Sequence, residues 1–367
     1  NWVFVKITTD NGIVGWGEAY TQLDRDTAIT AHIEEMKRYL IGRDPMQIGH
    51  FRHWAYEDMF LKRGSMDVYS AVSGLEIAMW DVTGKALDQP VYNLLGGAVR
   101  PALRVYGGGA AGNTPEECAN SALKSVKLGY DALKFDPFPG PWRSFVDHAD
   151  LELAAAKVGA VREAVGPRVE ILVEVHRRLS PIEAIMVGRM IEKYRPYWFE
   201  EPCPPENIRG IAEVKNALNI PVTIGEAIYG RRGFVEVFER RAADYLNPDI
   251  SNTGGILEIV QIAAMAEAYD MGISPHNPLS PVSTAACLQI AASVPNFSLQ
   301  EYPTGEDVPP KSDMVTGTPV HDGNGYLIIS DEPGIGVELK PDAREKVPFT
   351  PREINTRLHA DGSVIDQ

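Results

Sequence analysis

The sequence predicts an α/β protein built around a (β/α)8 TIM-type barrel, and three observations carry that expectation. Beyond Arg100, short apolar stretches alternate with amphipathic ones through eight strand candidates, ending near Tyr106, Lys134, Glu174, Glu200, Glu226, Asp249, His276 and Glu301. These units fill about 240 residues, against about 250 for a typical barrel of this kind. Most of the strands also end on an ionisable side chain, and the C-terminal rim of the strands is where barrel active sites lie. A doubly wound sheet would show the same alternation, but Gly107-Gly108-Gly109 lacks the spacing of a nucleotide fingerprint.

Each element has a local reason. Residues 1–9 are rich in β-branched and aromatic types, and Asp10-Asn11-Gly12 turns the chain into a second strand, Ile13 to Glu18. Helical patterns follow over Asp24–Leu40, Ile48–Phe60 and Asp67–Leu87, punctuated by Gly42, Pro45, Gly64 and Pro90. The first hundred residues therefore read as α+β. Within the barrel, Thr114-Pro115-Glu116-Glu117 and Ser180-Pro181-Ile182-Glu183 each combine a capping box with proline at the first helical position.

Composition narrows the function. With 367 residues, 44% hydrophobic and 23% charged, the chain has ample core material, which excludes disorder, collagen and coiled coil. Thirty-five basic against 50 acidic residues give a net charge of −15, which argues against nucleic acid as a partner. An anionic substrate would then need local cations, from side chains or a metal. Three well-separated cysteines, Cys118, Cys203 and Cys287, fit a reducing compartment, so the cytoplasm is the expected location. No apolar run approaches the roughly 20 residues of a membrane span, and no signal peptide is visible, although a leader or strand ahead of Asn1 is left open.

The chemistry is expected at the strand ends. Glu174, Glu200 and Glu226 each follow an apolar run and stand 26 residues apart, about one β/α unit, so all three should reach the rim on consecutive strands. Converging carboxylates repel and raise one another's pKa unless a cation neutralises them, and hard oxygen ligands suit Mg²⁺. Next come Asn247-Pro248-Asp249 and, 27 residues after Asp249, Ser274-Pro275-His276, which puts Asp beside His on adjacent strands. Such a pair fixes the imidazole tautomer and suits a general base. His176, two residues past Glu174, should share its side of the strand. Glu301 is read either as a group bonding substrate or oxyanion, or as half of a salt bridge. Lys134 can balance carboxylate charge. Asp136, on the same face, either contacts substrate or holds Lys134. The loop Pro137–Asp150 extends the rim, so Trp142, Arg143 and His148 are candidate substrate contacts or simply exposed loop residues. Arg177 and Arg178 contact either a substrate carboxylate or neighbouring loops.

The whole chain resembles the enolase superfamily, mandelate racemase subgroup, and within it acid-sugar dehydratases such as the galactonate and mannonate dehydratases. The resemblance rests on Thr9-Asp10-Asn11-Gly12-Ile13-Val14-Gly15-Trp16-Gly17-Glu18, the helix Ser73–Asp81, Gly84-Lys85-Ala86-Leu87, Pro90-Val91-Tyr92-Asn93-Leu94-Leu95-Gly96-Gly97, the barrel strands and Pro275-His276-Asn277-Pro278-Leu279. It implies a capping domain of residues 1–101 plus about 340–367, whose loops around Tyr20–Asp26 and Arg63–Asp67 close over a barrel of residues 102–339. It implies Mg²⁺ held by Glu174, Glu200 and Glu226, base catalysis by His276 with Asp249, and a stabilising Glu301. Two positions depart from the subgroup: Glu174 stands where Asp is frequent, and Asp136 replaces the second lysine of the racemases' Lys-x-Lys pair, which weakens a two-faced proton transfer. Glu174-Val175-His176 matches the dehydratases' spacing for a general acid. The implied reaction is α-proton abstraction from an aldonate or aldarate, an enediolate steadied by the metal and Lys134, and β-elimination of water to a 2-keto-3-deoxy acid. A racemase, epimerase or cycloisomerase on the same platform is the enzymatic alternative, and a silent sugar-acid-binding barrel the non-enzymatic one. The resemblance also implies a homo-oligomer.

Overall fold

The computed structural model describes residues 1–21, 25–57, 64–138, 146–351, 358 and 362–364. It opens with an antiparallel hairpin of β1 (Val3–Thr8) and β2 (Val14–Ala19), closed at Gly12 in the left-handed region. Helices α1 (Asp26–Leu40), α2 (Ile48–Glu57) and α3 (Met66–Ala86) follow, and a short α4 (Val91–Leu94) leads to the barrel. The glycines of Gly15-Trp16-Gly17 have a packing reason: a Cβ on Gly17 would fall 2.0 Å from the Gly74 carbonyl oxygen, and one on Gly15 2.3 Å from that of Ala78. The hairpin thus lies on α3 backbone to backbone. Val5, Ile29, Met36, Phe51 and Leu75 form the core between them.

The barrel runs β3 (Ala102–Gly108), α5 (Pro115–Lys127), β4 (Ala132–Phe135), α6 (His148–Val165), β5 (Glu170–Glu174), α7 (Pro181–Ile191), β6 (Trp198–Glu200), α8 (Ile208–Ala217) and β7 (Val222–Ile224). It continues with α9 (Gly230–Gly233), α10 (Val235–Arg240), β8 (Tyr245–Leu246), α11 (Ile256–Glu267), β9 (Gly272–Ile273), α12 (Pro281–Ser293) and β10 (Gln300–Tyr302). The parallel sheet has the order β10-β3-β4-β5-β6-β7-β8-β9. Its two ends meet where Ile273 pairs with Phe297 and the Ser274 hydroxyl donates to the Leu299 carbonyl at 2.6 Å. The eight strands lie where expected, although β7, β8 and β9 stop two to three residues short of Glu226, Asp249 and His276, which stand on the turns that follow; both capping boxes are present, with Thr114 and Ser180 accepting from the amides of Glu117 and Glu183. Inside the sheet Tyr106, Ala132, Leu172, Trp198 and Leu299 pack together, so the barrel is filled below its rim.

The last segments return to the first. Beyond β11 (Val315–Thr316) and β12 (Tyr326–Ile328), β13 (Glu338–Leu339) places Glu338 where it accepts from the Trp16 indole at 2.9 Å. After α13 (Ala343–Lys346), Thr350 exchanges hydrogen bonds with the Asn1 side chain. Cap and barrel are joined by buried polar contacts. Glu18 accepts from the Ser280 hydroxyl at 2.5 Å and the Ser283 amide at 3.1 Å, while Glu76 of α3 accepts from the Ile256 and Leu257 amides at the start of α11. No helix among the described residues is long and apolar enough to cross a membrane.

Candidate active site

Parallel pairing puts the strand ends level, and the acidic residues meet there. Glu174 and Glu200 are register partners at the ends of β5 and β6, and Glu226 follows β7 by two residues. Carboxylate oxygens of the three lie within 4.8 Å of one another, all buried. Each is held from behind. The Glu174 Oε1 accepts from the amides of Val175 and His176, and Glu200 accepts from the Trp198 indole (2.7 Å), the Asn247 amide (3.0 Å) and Lys134 (3.0 Å). Glu226 Oε1 bonds Arg177. Burial and the neighbouring carboxylates push Glu174 and Glu200 above the ordinary range. At Glu226 burial is outweighed by His276 and Arg177, which hold it low.

A divalent cation fits this cluster. Glu174 Oε2 and Glu226 Oε2 are buried without a hydrogen-bond partner, and oxygens in that condition are costly unless something positive reaches them. His276 Nε2 is 3.2 Å from Glu226 Oε2 but outside hydrogen-bonding geometry. Lys134 stays 3.8 Å from Glu174 Oε2, because it is drawn to Glu200 and to Glu301 at 2.8 Å. Hard, anionic oxygen ligands are the donor set of Mg²⁺-type ions.

On one side stands His276, whose Nδ1 is 2.8 Å from Asp249 Oδ2. Asp249 is fully buried and accepts from the Ser251 amide at 2.7 Å. Burial works against an imidazolium, but Glu226, Glu301 and Asp249 together hold His276 up at about 10. Neutralising those carboxylates is therefore what would free its Nε2 lone pair. Glu301, anchored by the Asn277 amide at 2.7 Å, lies 4.0 Å from His276 Nε2. Tyr20 reaches over from the cap: its amide donates to the Ser251 carbonyl and its ring centroid lies 6.3 Å from that of His276.

On the other side stands His176, in a way that strand alternation does not describe. β5 ends at Glu174, and His176 and Arg177 have φ of 55° and 67°, so a left-handed turn, not the strand, aims the imidazole. Its Nδ1 is 2.8 Å from Asp136 Oδ2, which also bonds Arg178. Asp136 does not hold Lys134; Lys134 is taken by Glu200 and Glu301. Arg178 also donates to the Val175 carbonyl. His148 is exposed at the start of α6, whereas Trp142 and Arg143 lie outside the described residues, as do 22–24 and 63 of the expected closing loops.

The roles of two contributors, Asn247 and Glu201, escaped the sequence reading, and Tyr20 was placed there only as the start of a closing loop. Asn247 orients Glu200, and Tyr20 faces His276. Glu201, in the left-handed region at φ 44°, accepts from the amides of Gly225 and Glu226 and so shapes the turn that carries Glu226. Burial pushes Glu201 up to about 7. Its signal was the doubled Glu200-Glu201 ahead of a proline.

Known proteins share this arrangement of cap and barrel. Residues 1–96 match the family described as mandelate racemase / muconate lactonizing enzyme, N-terminal domain, and residues 117–343 the family described as enolase C-terminal domain-like. The chain is 32% identical over its full length to a D-galactonate dehydratase of Xanthomonas oryzae pv. oryzae, covering 96% of that protein. Identity is 34% to the D-galactonate dehydratase of Variovorax paradoxus, with the same coverage. Among solved structures, a mandelate racemase/muconate lactonizing enzyme from a Jannaschia species superposes with a TM-score of 0.90 at 34% identity, covering 96% of this chain and 93% of that one. A member of the enolase superfamily from Salmonella Typhimurium gives 0.89 at 32%, covering 94% of each.

Proposed function

The chain belongs to the mandelate racemase/muconate lactonizing enzyme family of the enolase superfamily, and from that premise we propose that it is a Mg²⁺-dependent hydro-lyase that dehydrates a sugar acid, an aldonate or aldarate, to a 2-keto-3-deoxy acid. The observation that carries this reading is a buried triad of carboxylates, two of their oxygens without a partner, set between two histidines that are each bonded to an aspartate.

Glu174, Glu200 and Glu226 would hold the cation, which when bound supplies Lewis-acid polarisation of the substrate carboxylate and so acidifies the α-hydrogen. His276 takes that α-proton on Nε2, since its Nδ1 is committed to Asp249. Lys134 fixes a positive charge beneath the site through Glu200 and Glu301, which offsets part of the negative charge that develops on the enediolate. His176 gives a proton to the 3-hydroxyl as it leaves. Water loss followed by tautomerisation then yields the keto acid.

A screen of four- to six-carbon aldonic and aldaric acids with Mg²⁺, D-galactonate first, is expected to release 2-keto acid from at least one and to fall silent with EDTA. Glu226→Gln is expected to weaken Mg²⁺ binding, read by calorimetry. Unchanged Mg²⁺ affinity would remove Glu226 from the ligand set, and bound Mg²⁺ with no keto acid from any acid would overturn the dehydratase reading.

A further inference from the structure

The two histidines stand in a relation that neither shows alone. His276 follows β9 and His176 follows β5, four places apart in a ring of eight strands; their aspartates follow β8 and β4, again four places apart. Both pairs have the same contact, Nδ1 to Oδ2 at 2.8 Å. A half-turn of the barrel carries one pair onto the other. The chain repeats as well: His176-Arg177-Arg178-Leu179-Ser180-Pro181 and His276-Asn277-Pro278-Leu279-Ser280-Pro281 share histidine, leucine, serine and proline at the same offsets. In each the leucine is buried, and the serine caps a helix that has proline in its first turn.

Resting on the dehydratase reading, we propose that Asp136 is the positioning residue of the general acid, doing for His176 what Asp249 does for His276. By accepting from Nδ1, Asp136 keeps one proton on that nitrogen and leaves Nε2 as the atom that exchanges a proton with substrate. Four contacts make it a fixed anchor. Oδ2 meets both His176 and Arg178, Oδ1 accepts from the Phe138 amide at 3.0 Å, and Arg178 is itself tied to the Val175 carbonyl at 2.8 Å. Both Asp136 oxygens thus already accept from protein donors, which argues against a direct substrate contact. Arg178 bonds the same Oδ2 that faces His176 and so holds that oxygen in place.

As the C3–O bond breaks, the enediolate's electron pair forms the C2–C3 double bond and the C3–O pair leaves with the oxygen, which takes a proton from His176 Nε2 and departs as water. The imidazole is left neutral, its Nδ1 proton still on the Asp136 bond. Solvent reaches the ring, whose side chain is 41% exposed, and restores the Nε2 proton before the next turnover.

The test separates the two halves of the reaction in the full-length Mg²⁺-loaded protein. In D2O, NMR follows exchange of the α-hydrogen, which needs His276, beside formation of 2-keto acid, which also needs His176. Substrate is D-galactonate or whichever acid of the panel the wild type converts. Asp136→Asn is expected to slow keto-acid formation by about 10²-fold or more with KM little changed, while α-exchange continues near the wild-type rate. Asp136→Glu is expected to recover part of the loss. Wild-type dehydration by Asp136→Asn overturns the proposal, and so does a parallel loss of exchange and dehydration, the mark of a merely structural role. Should the asparagine variant fail to fold, Asp136→Glu alone must show the same split at smaller amplitude, and a parallel loss there overturns it too. Failure of the underlying reading looks different, because the wild type itself would then exchange or invert the α-carbon and release no keto acid.

Discussion

The His276–Asp249 and His176–Asp136 pairs have one geometry and opposite surroundings. The first is closed off: its side chains are 8% and 0% exposed, its two residues are linked by a backbone bridge, and Tyr20 of the cap sits above it. The second is half open, at 41% and 22%, on a left-handed turn held by two arginines. The difference suits their proposed tasks. A base that takes a weakly acidic α-proton gains from exclusion of water, which strengthens every charge around it. An acid that is spent once per turnover must be recharged, and solvent access provides the proton.

The sharpest way to break this comparison is to remove each histidine. His276→Asn is expected to lower both α-exchange and keto-acid formation by about 10²- to 10⁴-fold with Mg²⁺ affinity retained, and His176→Asn to lower keto-acid formation alone. Equal loss of exchange in both variants would erase the division of labour. A smaller effect belongs to the buried side only, where Glu18 supports the serine cap that follows His276. Burial, against the pull of Ser280 and Ser283, pushes Glu18 up to about 8 from an ordinary 4.5. The folded chain therefore holds this proton more tightly than the unfolded one, so its contribution is complete below about pH 4.5 and is lost as pH rises through about 8. Glu18→Gln, which stays neutral, is expected to flatten that decline in melting temperature between pH 5 and 8; an unchanged slope would free Glu18 of it. Least of all, Ser180→Ala should cost about 1 kcal/mol or less in denaturant unfolding, and Ser280→Ala more, because Ser280 also satisfies Glu18.

Much of the fold and the acidic cluster was legible because both are written in local patterns. Eight apolar runs ending in ionisable residues locate the strands, and a 26-residue repeat aligns Glu174, Glu200 and Glu226 on neighbouring rims. The Asp249–His276 contact followed from the same arithmetic. The Asp136–His176 contact did not, since 40 residues separate the two and the histidine lies past the strand end, where a left-handed turn replaces alternation. The one available hint was the repeated His-x-x-Leu-Ser-Pro, which becomes meaningful only when the strands are seen four apart. The roles of Tyr20 and Asn247 were hidden for a plainer reason: each acts by direction, and a sequence records only identity.

The seam between cap and barrel also bears on how the chain can be divided. The helix α11 begins after Gly255, and its first amides, those of Ile256 and Leu257, find their acceptor in Glu76, about 180 positions earlier. Its start is therefore completed by a residue of another domain, one the ribosome has already delivered when α11 emerges. A barrel made without residues 1–96 would leave those donors bare. Anyone grafting a foreign cap onto this barrel must first supply that carboxylate.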